Sequence, residues 1–274
     1  MVIIEPVGGL ANRMRVIASA LSLQKETGCK LNCIWSENLE LDAPFNLLFE
    51  NIGKFPIQNK QNKFRYLKST KNKNKLKLLI SKIINKLIGV DYYINDQDYP
   101  NLILINGINK LNIILRNKNI YIKTCEEFGN NLEEFKKFIP ISQILKNIYD
   151  IVKQFDNNTI GLHIRRTDNL DSIKYSPIEL FIDTINLEII KNKDANFFLC
   201  TDDFEVEKEL INKFGKRILI YKKEFSRQTI TGMQDAVVDL FCLSKTSLIY
   251  GSYWSSFSDI ASRIGGVPSI ILKK

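Results

Sequence analysis

No run of apolar residues in this 274-residue chain reaches the roughly 18 to 20 needed to cross a bilayer, and its first residues, Met1 to Arg13, lack the basic start, apolar stretch and small-residue cleavage site of a secretory leader. The expectation is a cytoplasmic protein. Histidine is almost missing, with His163 alone, and the five cysteines (Cys29, Cys33, Cys125, Cys200 and Cys242) are odd in number and scattered. Neither a zinc ribbon nor a disulfide framework is the default for such a set; free thiols in a reducing compartment are expected. The sequence also lacks a zinc finger, an RNP string and a recognition helix. Its lysines sit among asparagines rather than aromatics, which argues against a basic nucleic-acid-binding module. No internal repeat of fixed period is present.

What the chain does have is an excess of positive charge, 39 basic against 30 acidic side chains, enough to attract phosphates without choosing among nucleotide, nucleic acid and lipid headgroup. Its length favours two lobes over one. Val2 to Val7 reads as a strand, Gly8-Gly9 as a turn, Leu10 to Thr27 as a helix and Lys30 to Trp35 as a second strand, which is how an α/β unit opens. From Glu50 to Tyr99 the chain is rich in Lys, Asn and Ile and belongs clearly to neither core.

The second half is regular. Strands are expected at Asn158 to Ile164, Ala195 to Cys200, Arg217 to Tyr221, Ser247 to Tyr250 and Val267 to Leu272, with helices at Pro177 to Ile190, Phe204 to Phe214, Gln234 to Leu243 and Ser256 to Ile264. Alternation of this kind implies parallel strands covered by helices. The expected class is therefore α/β with two Rossmann-like lobes, 1–148 and 149–274, and ligands beyond the carboxyl ends of the strands.

Three strings of the second half fall at such ends. His163-Ile164-Arg165-Arg166-Thr167-Asp168 closes the first of its strands, and alternation puts His163 and Arg165 on one side. A guanidinium fork matches phosphate oxygens, so paired arginines here make a diphosphate clamp, or else an Arg–Asp ion pair beside a satisfied histidine. Thr201-Asp202-Asp203 closes the next strand, where a carboxylate either accepts the donor edge of a guanine or caps the following helix. Gly251 to Ser258 leads small hydroxyl residues into a helix start, a place for an anion or for N-capping alone. In the first half, Gly8-Gly9-Leu10-Ala11-Asn12-Arg13 offers backbone amides between a strand and a helix.

In this order the four strings resemble the fucosyltransferase superfamily of α1,2-, α1,6- and protein O-fucosyltransferases: a G-G-x-x-N-x loop (Gly8 to Arg13), H-x-R-R-x-D (His163 to Asp168), T-D-D (Thr201 to Asp203) and S-S-F (Ser255 to Phe257). Residues 36 to 150 are not covered. The resemblance implies a GT-B fold, an acceptor-side first lobe, and a second lobe that binds GDP-fucose or another GDP-sugar. It also implies transfer with inversion to a hydroxyl of a glycan or lipid-linked glycan, in carbohydrate biosynthesis, with no cofactor and no metal. Carried over by position, Arg165 grips the β-phosphate and His163 meets the nucleotide near guanine or ribose. Asp203 or Asp202 reads the guanine, Ser255, Ser256 and Phe257 hold phosphate, and Gly9 and Asn12 belong to the loop that meets the diphosphate. Asp239 matches an acidic position expected to be structural. Core α1,6-fucosyltransferases carry a glutamate a few residues past the arginines where this chain has Ile173. Asp168, expected to orient an arginine, and Asp171 are the nearby carboxylates, and Asp171 is the candidate base.

Two features stand outside the resemblance. Asp96-Gln97-Asp98 has the D-x-D form of metal-dependent transferases but no apolar strand before it, and reads as a polar turn. Residues 71–88 place Leu76, Leu79, Ile80, Ile83 and Leu87 on one helical stripe flanked by lysines, either a peripheral membrane contact or a helix packed on its own lobe.

Overall fold

The computed structural model describes residues 1–52, 56–59, 75–95, 118–129 and 132–274. The D-x-D string lies outside them, as do residues 71–74. Two compact units divide between Ile139 and Pro140.

In the first unit, β1 (Val2–Pro6), α1 (Leu10–Thr27), β2 (Leu31–Trp35), β3 (Ile57–Asn59), α2 (Lys75–Ile88), β4 (Tyr92–Asn95) and β5 (Ile120–Thr124) follow in order. The strands form one parallel sheet, β3-β2-β1-β5-β4. All five residues of β1 are buried, because a central parallel strand is covered on both faces.

α2 overturns one of the two readings of its stripe. Ser81 and Asn85 are the buried residues, while Leu79, Ile83 and Leu87 are 56%, 51% and 83% exposed. The helix thus turns its polar side inward and is held at its end, where Val90 N donates to the Asn85 carbonyl at 2.8 Å and Ile88 packs with Ile3, Ile34, Val90 and Tyr121. Among the described residues the apolar stripe faces outward.

The second unit opens with α3 (Ser142–Val152), which crosses the 148/149 boundary expected from sequence. Ile144 and Ile148 of α3 are buried as it packs on α7 (Ile230–Leu243), and Asn147 Nδ2 donates to Tyr221 Oη at 3.1 Å. That packing draws the division of the chain back to residue 139. β6 (Thr159–Ile164), α4 (Leu170–Tyr175), α5 (Ile178–Lys191), β7 (Asn196–Thr201), α6 (Phe204–Phe214) and β8 (Ile218–Leu219) lead to α7, then β9 (Ile249–Ser252), α8 (Ser256–Gly265) and β10 (Ser269–Leu272) complete the unit. Its sheet is also parallel, β10-β9-β6-β7-β8. β6 is wholly buried, in a core that includes Leu162, Ile164, Phe181, Ile185, Phe197, Leu199 and Leu210.

The chain leaves β6 for β7 on one side and returns to β9 on the other. The crevice beyond the carboxyl ends of β6 and β9 is therefore the topological switch point, where open α/β sheets bind ligands. All five cysteines are free, with Cys33, Cys200 and Cys242 buried. No described helix is long and apolar enough to cross a membrane.

Candidate functional site

The switch point of the second sheet brings two of the sequence strings together. β6 and β9 pair with Leu162 opposite Tyr250 and His163 opposite Gly251, and the Arg165 amide donates to Ser252 Oγ at 3.0 Å. Beyond the strands the loops are laced to each other: Asn169 Nδ2 donates to the Trp254 carbonyl at 3.0 Å, Ser172 Oγ donates to the Tyr253 carbonyl, and the Tyr253 amide donates to Ser176 Oγ at 2.7 Å. The His163 ring stacks on Phe257, centroids 5.0 Å apart and planes 22° from parallel.

Arg165 is buried to 9% exposure and its guanidinium is paired with both Asp168 and Asp202. Burial and the nearby Arg227 push it down to about 10, with Asp168 opposing, so it remains a cation at neutral pH. Asp202 is the hub of this end of the sheet. Oδ1 accepts from the Arg166 amide at 2.7 Å and Oδ2 from Thr167 Oγ1 at 2.6 Å. This fixes a tight bend in which Thr167 adopts a positive φ of 34°, a conformation rare for a β-branched residue and a place where strain is held by surrounding bonds. Asp203 accepts from the Glu205 and Val206 amides at 2.9 and 3.3 Å and so caps α6 through Oδ1. Of the two roles read from the sequence, helix capping falls to Asp203, while Asp202 braces Arg165 and the bend after β6, a role the sequence did not suggest.

Asp168 is exposed, with two-thirds of its side-chain surface open, and pairs with Arg227 Nη1 at 3.4 Å as well as with Arg165. Although partial burial works against it, Arg165 and then Arg227 hold its carboxyl below the ordinary range. A carboxylate held low by two arginines is a poor proton acceptor. Asp171 lies exposed in the first turn of α4, whose N-cap is Asn169.

Arg227 is a member of the cluster that the sequence did not single out. It belongs to the loop between β8 and α7, and α7 holds that loop down: Asp235 accepts from Tyr221 Oη at 2.8 Å and from the Glu224 amide at 2.9 Å, and buried Asp239 pairs with Lys223 at 2.5 Å. Burial works against the Lys223 charge, but Asp239 outweighs it and keeps the amine above its ordinary value. Asp239 is thus structural, one helical turn from a second anchor. The spacing Asp235-x-x-x-Asp239 on an otherwise apolar helix was the available signal, because a buried carboxylate requires a partner brought from elsewhere.

The start of α8 has no side-chain cap. Ser255 occupies the N-cap position but its side chain makes no capping hydrogen bond, and Trp254 before it has φ 57°. Ser256 and Phe257 begin the helix, whose first amides point out of its N-terminus with the positive end of the dipole. Buried His163 Nδ1 and Arg166 Nη2 have no hydrogen-bond partner among the described residues, and such orphans are few in native folds. Burial, then Arg165 and Lys223, push His163 down to about 3, so the ring is neutral.

In the first unit, the glycine loop is braced by a residue to which the sequence gave no role. Arg13 is fully buried; its Nε donates to the Gly8 carbonyl at 2.8 Å, Nη1 to the Ser36 carbonyl at 2.7 Å and Nη2 to Asn38 Oδ1 at 3.0 Å, with the guanidinium 4.9 Å over Trp35. Gly8 has φ 83°, and a Cβ there would meet Asn12 Nδ2 at 2.7 Å, so Asn12 folds against a backbone that only glycine provides. Gly9 is the N-cap of α1 and offers no side chain to its amides.

This is a pair of Rossmann-like sheets with an arginine cluster at the switch point of the second, the GT-B architecture of nucleotide-sugar transferases. Solved structures with the same fold include the α-1,6-fucosyltransferase NodZ soaked with GDP-fucose (TM-score 0.62, 17% identity, 96% of this chain and 92% of that one). Others are Arabidopsis thaliana FUT1 R284K in complex with GDP (TM-score 0.64, 16% identity, 99% and 69%) and POFUT1 in complex with GDP-fucose (TM-score 0.58, 12% identity, 99% and 97%). No family model and no curated protein matches the sequence. The chain thus has the fold of the fucosyltransferase superfamily, at an identity that speaks to fold alone.

Proposed function

We propose that the chain is a glycosyltransferase that moves fucose from GDP-fucose to a hydroxyl of a glycan or lipid-linked glycan, with inversion at the anomeric carbon and without a metal. The observation that carries this reading is the convergence, at one switch point, of the Arg165–Asp168–Arg227 cluster with the uncapped start of α8. That arrangement is made for a diphosphate. POFUT1 in complex with GDP-fucose and NodZ soaked with GDP-fucose bear the same fold, which favours this nucleotide sugar over others.

In the proposed complex the diphosphate takes the place of the Asp168 carboxylate against Arg165 and Arg227, exchanging one anion for another. The amides of Ser256 and Phe257 supply further donors, and Ser255 contributes the hydroxyl it does not spend on capping. As the bond from the anomeric carbon to the β-phosphate oxygen breaks, negative charge grows on that phosphate. Arg165, fixed by Asp202 and desolvated, stabilises it without reorganising. Departure of a well-stabilised leaving group leaves an oxocarbenium-like sugar that a weak nucleophile can attack from the opposite face, which inverts the centre. The acceptor proton passes to Asp171 or to solvent. Neutral His163 lies behind the arginines and meets the ribose or base. Asp203 uses Oδ1 on the α6 amides, leaving Oδ2 for the guanine edge. The five unbridged cysteines accord with a reducing compartment such as the cytoplasm.

A panel of nucleotides and nucleotide sugars in a thermal-shift assay tests the donor, because a ligand bound only by the folded protein raises its melting temperature. GDP and GDP-fucose are expected to stabilise and UDP and CMP sugars not to, with full turnover in EDTA and an inverted product by NMR. Equal stabilisation by UDP sugars would remove the donor assignment.

A further inference from the structure

The positive charge of the sequence is concentrated in the stretch that holds α2. Residues 51–90 contain eleven Lys or Arg and no Asp or Glu, whereas the rest of the sequence carries 28 basic against 30 acidic side chains. Within this stretch α2 turns an apolar stripe to solvent, as its burial pattern shows. At about 100° per residue, Leu79, Ile80, Ile83 and Leu87 fall within a narrow arc, Lys75, Lys82 and Lys86 line one flank and Lys77 the other. The opposite side, Ser81 and Asn85, is what the protein buries.

We propose that the outward face of α2 docks on an anionic lipid bilayer. Leu79, Ile83 and Leu87 enter the boundary between headgroups and acyl chains, and the flanking lysines lie among the anionic headgroups. An apolar stripe bordered by lysines, on a helix without a single carboxylate, is the form that lies in the plane of a membrane interface. Lysines near such a surface each strengthen binding about fivefold, an effect that salt weakens. This inference stands apart from the donor reading, since α2 belongs to the first unit and needs no nucleotide. If both hold, the enzyme is brought to a lipid-linked acceptor.

The test is sedimentation of the full chain, without nucleotide, with vesicles of phosphatidylcholine alone and with phosphatidylglycerol added. Binding is expected only to the second, to fall about a hundredfold when Lys75, Lys82 and Lys86 are all changed to Gln, and to fall at least tenfold in Leu79→Gln/Ile83→Gln/Leu87→Gln. All six residues are exposed, so both variants should melt as the parent does. Absence of binding to either vesicle overturns the proposal. So does a lysine variant that loses binding while the apolar variant keeps it, which would make the face a polyanion site, for nucleic acid among others. A concentration-dependent dimer that the apolar variant abolishes, without lipid binding, would assign the face to a second copy.

Discussion

Gly251→Ala gives the sharpest test of whether the start of α8 has to sit where it does. Gly251 lies on β9 between His163 of β6 and Ile271 of β10. A Cβ at this position would fall inside contact of the Ser258 hydroxyl, 2.7 Å from Ser258 Cβ and 3.2 Å from Ile271 Cδ1, where ordinary carbon contacts are about 3.5 to 4 Å. Ser258 is fully buried and sits on the first turn of α8, so α8 has to withdraw from the sheet by roughly 1 Å. Overpacking of this kind costs about 1 to 3 kcal/mol, and a displacement of that size at a group that positions substrate lowers turnover by up to ~100-fold. The expected phenotype is a fall of several degrees in melting temperature, GDP affinity weakened tenfold or more, and turnover reduced further. Ser258→Gly removes both colliding atoms, and its hydroxyl has no hydrogen-bond partner to lose. The double variant should therefore recover most of the GDP affinity, giving a coupling of opposite sign to the single effects. Isothermal titration of GDP against the four proteins of the cycle decides the matter. Unimpaired GDP binding in Gly251→Ala, or failure of Ser258→Gly to restore it, would refute the argument that the α8 amides hold the ligand.

Arg165→Ala should weaken GDP by roughly 10- to 100-fold, the worth of charge-assisted hydrogen bonds in a desolvated site. Arg165→Lys should recover little, because an ammonium cannot reproduce the fork; calorimetry with full affinity in the Lys variant would show that only charge matters. Arg227→Ala, at a more exposed position, should weaken GDP several-fold and leave the melting temperature of the free protein within about a degree; an effect equal to that of Arg165→Ala would mean that the two act as one unit. The neutral state of His163 sets a pH dependence. Its folded value near 3 lies below the ~6.5 of an unfolded chain, so the unfolded state binds the extra proton between those limits. The His163 contribution is complete above pH 6.5 and is lost as pH falls toward 3, at up to about 1.4 kcal/mol per unit. The urea midpoint should drop between pH 7.5 and 5.5 more in the parent than in His163→Gln, and equal drops would place the titration elsewhere.

The alternation of the second half was legible because each parallel strand is a short apolar run buried on both faces, and its helices and strands fall within a few residues of expectation. The shift of β9 to Ile249–Ser252, two residues later than expected, follows from pairing with β10 and β6, which draws Gly251 and Ser252 into the ladder although neither favours a strand by itself. The placing of α3 was hidden for a similar reason. α3 has an apolar stripe of its own but no local sign of which sheet it serves, and only its packing on α7 assigns it. At the site, His163, Arg165, Asp202 and the Ser255–Phe257 turn lie together because all sit at or just past the ends of strands of one sheet. Arg227 escaped notice because it sits on a loop without regular pattern, in a place decided by Asp235 and Asp239 far along α7. The direction of α2 was also hidden. Periodicity fixes which residues share a face, but not whether that face turns toward the protein or away from it.

The arrangement of charges at the switch point explains how several arginines lie close together. Arg165 is desolvated and has Arg227 as a cationic neighbour; without a counter-ion this cluster would cost several kcal/mol. Asp202 and Asp168 supply the counter-ions in different ways. Asp202 is also bonded to the Arg166 amide and the Thr167 hydroxyl, and removing it would open the bend after β6 as well as free Arg165. Asp168 is exposed and, among the described residues, holds its two arginines and the neighbouring threonine, so a diphosphate can displace it at little structural cost. Asp168→Asn separates these roles. It should lower the melting temperature of the free protein, because the arginine repulsion is no longer screened, and widen the stabilisation that GDP confers, because the ligand no longer competes with a resident carboxylate. Asp202→Asn should instead lose both stability and the GDP response. If Asp168→Asn abolished the GDP response while the protein stayed folded, Asp168 would be part of the ligand site itself, and the exchange of one anion for another would have to be given up.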